Sequence, residues 1–575
     1  MTTQHKTCAN CKTEFIIEPD DFTFYAKIGV PEPTLCPTCR RQRRLSFRND
    51  HDFYKRACDL CKKSIIALYP ADAKFPVYCM KCWWSDSWDP YQYGRDYDPS
   101  RSFLEQCDDV FKSVPTIAMQ NDDSVGSVNC EYTTDWWFSK NCYMTMTGWH
   151  DENVYYSYGV EHSKDVMDSS HIKNCERIYE CFGSTKCSRC AYCTFCHDSV
   201  DCYLSYDLHG CSDCVMCVGL RNKKYCILNE QYTKEEYLLK LKAMNLQSRE
   251  ALQEHRKTFQ KFVMKFPRRY AQILKSVNTT GDMLMNCKNS QECYFGNGLE
   301  NCKFIVLNDS AKETYDCNAT GHPELCYEGI TPDYSYHAIA TIFCVRCREV
   351  AYSSNCAGAE HLMGCAGIKK GGYVILNKQY EPQEYEKLKQ QIIADMKARG
   401  EWGEFFPKHM SPFAYNESIA YDFDQITKTQ ALANGFRWKE ESKREVKPTL
   451  LPHQIPDSID GMGDDILQQI IQCSHVDTNG RPTCVDKCTS VFRVTPNELQ
   501  FYRSMGVPVP RLCSNCRHFQ RIQKRNPVVL HHRQCMCKLT THQHEIQCLN
   551  EFETTYSPDR PEIVYCEQCY QQEIN

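Results

Sequence analysis

Long apolar runs are missing from this chain. No stretch approaches the roughly 18 consecutive apolar residues that a membrane-spanning helix requires. The N-terminal residues, MTTQHK, also lack the apolar core and the cleavage pattern of a secretory signal peptide. The sequence therefore predicts a cytoplasmic protein that has no membrane partner.

The common catalytic motifs are missing as well. The sequence has no glycine-rich GxGxxG, no phosphate-binding Walker loop, no HExxH, no GxSxG and no zinc-deaminase pattern HxE…PCxxC. We therefore expect a protein that is not an enzyme, and we identify no small-molecule substrate.

An excess of positive charge is also missing. The 575-residue chain has a net charge of -5, with 25% charged and 12% aromatic residues. A chain of this length and composition folds into several domains. It does not bind polyanions over its whole surface, so any nucleic-acid contact must use a local basic segment.

Cysteine, in contrast, is abundant, with 41 residues in the chain. In an oxidising compartment this number would indicate disulfides, and the odd count would leave one thiol over. In a cytoplasmic protein, repeated CxxC pairs indicate metal binding instead. The spacing of the pairs at the two ends of the chain favours zinc.

Two complete cysteine sets lie within residues 1–90. In each set a CxxC pair is followed by a loop and a second CxxC pair, which is the spacing of a zinc ribbon. Tetrahedral zinc takes four thiolates, and two tight turns that each present two sulfurs would supply them. The predicted ligands are Cys8, Cys11, Cys36 and Cys39 in ribbon one, and Cys58, Cys61, Cys79 and Cys82 in ribbon two.

The C-terminal end is similar to the N-terminal end. Residue n matches residue n+477 at many positions, such as Cys36 with Cys513, and an offset of 487 relates Cys79 to Cys566. Ribbon three is therefore predicted to have a slightly wider first pair, and ribbon four to have a first pair split by an insertion. The predicted ligands are Cys484, Cys488, Cys513 and Cys516 in ribbon three, and Cys548, Cys566, Cys569 and either Cys535 or Cys537 in ribbon four.

A basic segment follows ribbon one and another follows ribbon three. Arginine at high density can pair with nucleic-acid phosphates. The alternatives are a solvated helix face and ion pairs with acidic patches elsewhere on the chain, because no base-reading motif accompanies the charge. The candidate arginines are Arg40, Arg41, Arg43, Arg44, Arg48, Arg517, Arg521 and Arg525.

The centre of the chain contains a second internal similarity. An offset of 148 relates Gly219 to Gly367, and a helical pattern follows each copy. In the first half, apolar patches led by Cys or Val recur at short, similar intervals. This spacing favours a β-solenoid with cysteines in its interior. The second half, from about Cys287, has a less regular spacing, and an antiparallel meander remains an alternative for both halves. The patches of the first half begin at Cys142, Val154, Val166, Cys175, Cys187, Cys202, Cys214 and Cys226.

One central run has the pattern CxxCxxCxxC. It resembles a bacterial iron–sulfur ligand run, but its last gap is too short by one position and no proline follows. Buried positions of the stacked strands, an additional zinc site and thiol redox chemistry are the other interpretations. The run comprises Cys187, Cys190, Cys193 and Cys196.

Together these patterns predict a mainly β fold with helical inserts. Tandem zinc ribbons at both termini flank a duplicated Cys/Tyr-rich, solenoid-like β-repeat. The predicted domains are ribbon one (1–50), ribbon two with an aromatic cap (51–100), the first half of the β-repeat (101–230), a helical insert (231–275), the second half (276–378), a second helical insert (379–400), an extended connector (401–472), ribbon three (473–530) and ribbon four (531–575).

The pattern from Cys8 to Arg44, CxxCxxxF…FY…GxPxPxxCxxCRxxRR, resembles the "probable zinc-ribbon" domain of bacterial proteins. Ribbon three resembles the same domain with a widened first pair. The remainder resembles long cysteine-rich bacterial proteins with ribbons at both ends, through CMKCWW (79–84), SPFAYNE (411–417) and YCEQCY (565–570). The resemblance implies zinc binding and a bacterial cytoplasmic origin, and it brings no enzymatic activity with it.

We favour a non-enzymatic, multi-zinc scaffold protein that holds about four structural zinc ions per chain. Its ribbons would contact a protein partner or a second copy of the chain. Nucleic-acid binding through the basic segments is the first alternative. Metal or thiol redox chemistry at the central cysteines is the second.

Overall fold

The computed structural model describes residues 2–121, 126–440, 446–477, 480–484, 487–542 and 544–574. The chain forms two compact units, and each unit joins one cysteine-rich end to one central segment. Unit 1 comprises Met1–Asp123, Ala271–Glu440 and Pro527–Leu530, and unit 2 comprises Ser124–Tyr270, Glu441–Asn526 and His531–Asn575.

The centre of unit 2 consists of two sheets whose strands alternate along the chain between Met146 and Ala191. Neighbouring strands pair in parallel at a constant register, as Val160 does with Ile172 and Cys202 with Cys214. Only the last short strand, Glu230–Gln231, is antiparallel. The antiparallel meander is therefore wrong for this segment. The strands of the first sheet are Thr134–Trp137, Met146–Trp149, Tyr158–Glu161, Ser170–Lys173 and Phe182–Thr185. Those of the second are Glu152–Tyr155, Lys164–Met167, Glu176–Tyr179, Ser188–Ala191, Val200–Tyr203, Ser212–Val215, Lys224–Ile227 and Glu230–Gln231.

The backbone of this segment turns at every third residue. Asn153 and Tyr156 have φ angles of 57° and 49°, in the left-handed region that few non-glycine residues adopt. The residue after most of these turns is buried, as Val154 and Ser157 are. An inward-facing side chain therefore recurs at every third position, and this recurrence produces CxxC patterns wherever successive inward residues are cysteines.

The CxxCxxCxxC run occupies four successive inward positions. Cys187 Sγ lies 3.2 Å from the Cys196 carbonyl oxygen, and Cys193 Sγ lies 3.3 Å from the Cys202 carbonyl oxygen. Serine hydroxyls make the same kind of contact at other inward positions, as Ser199 Oγ does with the Leu208 carbonyl at 3.5 Å. Small side chains that can donate a hydrogen bond thus satisfy polar backbone in the interior.

The centre of unit 1 is one sheet of 11 strands, parallel except at its last strand. Most of its strands pair at the same register as those of unit 2, as in Cys326 with Ala338 and Val350 with Leu362. The meander is wrong for this segment too. The strands are Ile273–Leu274, Val277–Met285, Lys288–Asn297, Val306–Asp309, Thr314–Gly321, Glu324–Ile330, Tyr336–Ile342, Arg348–Ala351, Glu360–Met363, Gly372–Ile375 and Lys378–Gln379.

Helices follow each central segment and accompany each cysteine-rich end. Their ends carry the expected signals: Thr233 and Glu236 form a capping box at the start of Lys234–Met244, and Gly400 ends Pro382–Arg399 in a left-handed conformation. In unit 1 the helices are Pro19–Ile28, Pro37–Leu45, Met80–Trp84, Phe103–Ser113, Pro382–Arg399, Ala420–Phe423 and Lys428–Ala433. In unit 2 they are Lys234–Met244, Arg249–Val263, Pro496–Met505, Ser514–Ile522 and Glu567–Ile574.

The remaining strands are short and pair two by two, so that the protein is rich in strands and has helices around them. Within the part of the chain that the structure describes, none of the helices has the length and apolar character needed to cross a bilayer. In unit 1 the pairs are Gln4–Thr7 with Glu14–Ile17, Tyr54–Ala57 with Ser64–Ala67, and Val77–Tyr78 with Thr116–Ile117. In unit 2 they are Arg268–Arg269 with Val564–Tyr565, Ile471–Gln472 with Val491–Phe492, and His531–Gln534 with Glu551–Thr554.

Candidate metal centres

The first cysteine set combines a hairpin with a helix start. Cys8 and Cys11 lie in the turn between two antiparallel strands, while Cys36 caps the helix Pro37–Leu45 and Cys39 lies in its first turn. The sequence predicted a ribbon with two tight turns. The second pair of ligands is instead presented by a helix N-terminus, where backbone N–H groups favour negatively charged thiolates.

Four groups of four cysteines bring their Sγ atoms within 4.8 Å of one another. Each group lies at one end of the chain and combines a strand pair with the start of a helix. We name them sets 1 to 4. Set 1 is Cys8, Cys11, Cys36 and Cys39; set 2 is Cys58, Cys61, Cys79 and Cys82; set 3 is Cys473, Cys488, Cys513 and Cys516; set 4 is Cys535, Cys548, Cys566 and Cys569.

The distance between the second and third sulfurs is nearly the same in every set. It is 3.7 Å in set 1, and 3.9 Å in sets 2, 3 and 4. Thiolates bound tetrahedrally to zinc at about 2.3 Å lie about 3.8 Å apart. The donor type and the spacing of all four sets therefore fit a zinc ion.

A backbone hydrogen bond also recurs in every set. The N–H of the third cysteine donates to the sulfur of the first, at 3.3 Å in sets 1, 2 and 3 and at 3.2 Å in set 4. In set 1 the Asn10 amide also donates to Cys39 Sγ, at 3.3 Å. Hydrogen bonding with Cys36 lowers the pKa of Cys39 to about 6, which favours the thiolate form that binds metal.

In set 3 the first position is held by Cys473, where the sequence pointed to Cys484. Cys473 follows the strand Ile471–Gln472 directly, and a long loop leads from it to Cys488. Cys484 lies in that loop, with its sulfur 3.7 Å from Cys516 Sγ, and belongs to an overlapping group with His475 and Cys516. An adjacent strand pair, rather than the spacing along the chain, brings Cys473 and Cys488 together.

In set 4 the first position is held by Cys535. Its neighbour Cys537 lies outside the four-cysteine group, with its sulfur 3.3 Å from His542 Nδ1 and 3.3 Å from His544 Nε2. The sequence left Cys535 and Cys537 as alternatives. The backbone bond from Cys566 to Cys535 gives Cys535 the same place that Cys8 has in set 1.

The candidate arginines of unit 1 are buried and paired with carboxylates. Arg40 and Arg44 lie 2.9 Å and 3.1 Å from Asp316, in the central sheet, and both are at most 1% exposed. The remaining pairs are Arg44 with Glu328, Arg43 with Glu328 and Glu404, Arg41 with Asp424, and Arg48 with Asp50.

Unit 2 contains the corresponding arrangement. Arg517 and Arg521 lie 3.0 Å and 2.7 Å from Asp168, and all three residues are buried. Arg525 is half-buried at the end of the same segment and within electrostatic reach of His171. Buried guanidinium groups that already bind carboxylates are poorly placed to reach phosphates, so the basic segments join the cysteine-rich domains to the central sheets instead.

Comparison with known families bears on the N-terminal domain. Residues 4–48 match the family described as "Probable treble clef domain". This match, together with the four cysteine sets, supports a zinc-binding domain at the N-terminus and cysteine clusters at both ends. A search of curated proteins found no match to this chain.

Proposed function

We propose that this protein is a structural zinc protein that holds one zinc ion in each of its four cysteine sets. The observation that carries the proposal is the recurrence of the same two contacts, sulfur to sulfur and N–H to sulfur, in all four sets. Four thiolates fill a tetrahedral zinc shell and leave no position for substrate, which is the arrangement of structural sites. Zinc would then stabilise domains too small to fold alone.

We infer further that each central segment winds as a β-solenoid and serves as a rigid scaffold. The constant parallel register, the turn at every third residue and the buried cysteines support this inference. The zinc-binding domains pack on the sides of these segments through buried ion pairs, which is an arrangement suited to presenting their exposed surfaces to a protein partner.

Elemental analysis of the purified full-length chain tests the zinc assignment. We expect about four zinc ions per chain and no stoichiometric iron. Fewer than three zinc ions in freshly purified protein would contradict the proposal. Stoichiometric iron would instead favour metal–redox chemistry at the central cysteines.

Binding to nucleic acid is disfavoured by the burial of most of the candidate arginines. Arg40, Arg44 and Arg517 are between 0% and 6% exposed. A titration with duplex DNA at low and moderate salt checks this point, because phosphate contacts weaken steeply with salt. We expect no salt-dependent binding in the range of a specific complex.

A further inference from the structure

Unit 2 contains a cavity of about 310 Å³ next to the domain that contains set 3. The first turns of the helix Arg249–Val263 form one wall, and the segment 508–512 forms another. Tyr179 and Tyr192 from the central segment contribute aromatic surface. This volume lies at the lower end of the range for pockets that hold small organic ligands.

The cavity is strongly basic. Four arginines line it, and among the described residues of the lining Glu180 is the only carboxylate. Arg256 pairs with Glu180 at 2.6 Å, and Arg517 pairs with Asp168 at 3.0 Å and with Glu498 at 3.8 Å. The other two guanidinium groups, those of Arg249 and Arg511, form no ion pair with any residue that the structure describes. The lining therefore has an excess of positive charge.

Arg511 is the more buried of these two guanidinium groups. It is 6% exposed, and it donates to the backbone carbonyls of Val509, Ile455 and Pro456 at 2.6 to 2.9 Å. A buried cation without a carboxylate partner is unfavourable unless an anion accompanies it.

Two donors in the lining, Arg256 Nε and Arg517 Nη2, are buried and have no hydrogen-bond partner among the residues that the structure describes. Arg517 Nη2 lies 3.8 Å from Glu498 Oε1, beyond hydrogen-bond distance. An unsatisfied buried donor on a charged group costs free energy, which a bound acceptor would recover.

The equivalent place in unit 1 contains a carboxylate of the chain itself. The offset of 477 aligns Arg511 with Thr34 and Gln520 with Arg43. Glu404 Oε1 accepts from the Thr34 hydroxyl at 2.6 Å and from the Thr34 N–H at 3.1 Å. Glu404 Oε2 accepts from Arg43 Nη1 at 2.8 Å. In unit 1 this position therefore binds a carboxylate, which the loop after the helix Pro382–Arg399 supplies.

We propose that the cavity of unit 2 binds a small organic carboxylate in the place that the Glu404 side chain takes in unit 1. The carboxylate would bind Arg511 and Arg249, and the apolar part of the ligand would pack against Tyr179, Tyr192 and Leu252. This binding site goes beyond the structural zinc role and does not depend on it.

A titration of the zinc-loaded full chain with glutarate, followed by saturation-transfer NMR of the ligand, tests this proposal. Glutarate carries the carboxylate of a glutamate side chain, glutaramide is its uncharged counterpart, and benzoate is a second probe with an aromatic body. We expect saturation transfer to glutarate and none to glutaramide. Replacement of the key arginine by its unit 1 equivalent, Arg511→Thr, should weaken glutarate binding at least about tenfold, because a charge-assisted hydrogen bond is lost.

Two more variants control the experiment. Lys261→Ala removes one exposed positive charge from the same helix and should leave glutarate binding unchanged. Arg249→Ala alters a half-buried lining residue and should also weaken binding, which keeps the test open if Arg511→Thr loses zinc and unfolds. Equal glutarate binding by wild type and both arginine variants would overturn the proposal, as would wild type that binds neither glutarate nor benzoate. Displacement of glutarate by a lower concentration of inorganic phosphate would also overturn it and identify a phosphate site.

Discussion

Units 1 and 2 attach a cysteine-rich domain to a central segment in the same way, but they differ beside that contact. In each unit an arginine from a zinc-binding domain pairs with an aspartate of a central segment: Arg40 with Asp316 at 2.9 Å, and Arg517 with Asp168 at 3.0 Å. The offset of 477 relates the two arginines, and the offset of 148 relates the two aspartates. The same ion pair therefore forms in both units between a repeated terminal domain and a repeated central segment.

The surroundings of this ion pair are alike as well. Arg40 stacks on Phe304 and Arg517 on Tyr156, both at 4.9 Å from the ring centre. The difference lies beside the pair, where unit 1 has Thr34 bonded to Glu404 and unit 2 has Arg511 facing a cavity. The contact that docks the domain is therefore the same in both units. The adjacent position is occupied by the Glu404 side chain in unit 1 and is a cavity in unit 2.

Loss of a zinc ligand should have the largest effect. We expect Cys39→Ser in set 1 and Cys473→Ser in set 3 each to remove one zinc ion and to unfold the affected domain, because structural zinc supplies much of the folding free energy. Zinc content and circular dichroism measure the result.

Cys484→Ser is the matched control for Cys473→Ser. We expect it to retain all of the zinc, since Cys484 does not hold the first position of set 3. If Cys484→Ser lost zinc and Cys473→Ser kept it, set 3 would be assigned wrongly.

Breaking the shared ion pair should have the next largest effect. Asp168→Asn leaves the buried Arg521 without its carboxylate and Arg517 with only the more distant Glu498, at 3.8 Å, and we expect it to destabilise unit 2 by about 3–5 kcal/mol. Asp316→Asn should cost less in unit 1, because Arg44 keeps Glu328 at 2.9 Å. Urea unfolding of the two variants measures the difference, and a larger cost for Asp316→Asn would contradict this view of the two units.

Opening the closed position of unit 1 should have a moderate effect. Glu404→Ala leaves Arg43 with one carboxylate fewer and Thr34 without its acceptor, and we expect a loss of about 1–3 kcal/mol. Acetate at constant ionic strength should restore part of the melting temperature, whereas acetamide should not. Identical responses to acetate in the variant and the wild type would show that the position does not bind free carboxylates.

Replacing an inward cysteine of the centre should have the smallest effect. Serines such as Ser199 already occupy inward positions, and their hydroxyls bond the same kind of backbone carbonyl. We therefore expect Cys193→Ser to cost about 1 kcal/mol or less and to leave the zinc content unchanged. Loss of metal in this variant would show that the central thiols are ligands.

The sequence was informative about local features and uninformative about distant partners. Sets 1 and 2 follow from CxxC spacing, because each cysteine pair sits in one tight turn or one helix start. In the second half of the centre, the spacing between Cys287, Cys293 and Cys302 looked irregular, yet every step is a multiple of three. The turn at every third residue explains these steps, because inward-facing cysteines must then be separated by multiples of three.

Other features had no local signal. Cys473 reaches set 3 across a long loop, and closing a longer loop costs little extra free energy once the flanking strands pair. In set 4 the internal repeat identified Cys548, whereas the choice between Cys535 and Cys537 had no signal in the sequence. The sequence left nucleic-acid phosphates and carboxylates of the chain as alternative partners for the arginine-rich segments, because the charge of a side chain does not identify the group that it binds.

By itself, the sequence determined the four pairs of cysteines at helix starts or hairpin turns in sets 1 and 2, the offsets of 477 and 148, and the predominance of short strands. Only the tertiary structure decided that the strands are parallel, that Cys473 and Cys535 complete sets 3 and 4, and that Asp316 and Asp168 bind the arginines. Tight turns and periodic burial are properties of a few consecutive residues. Buried ion pairs and metal ligands depend on which distant segments the folded chain brings within a few ångströms of each other.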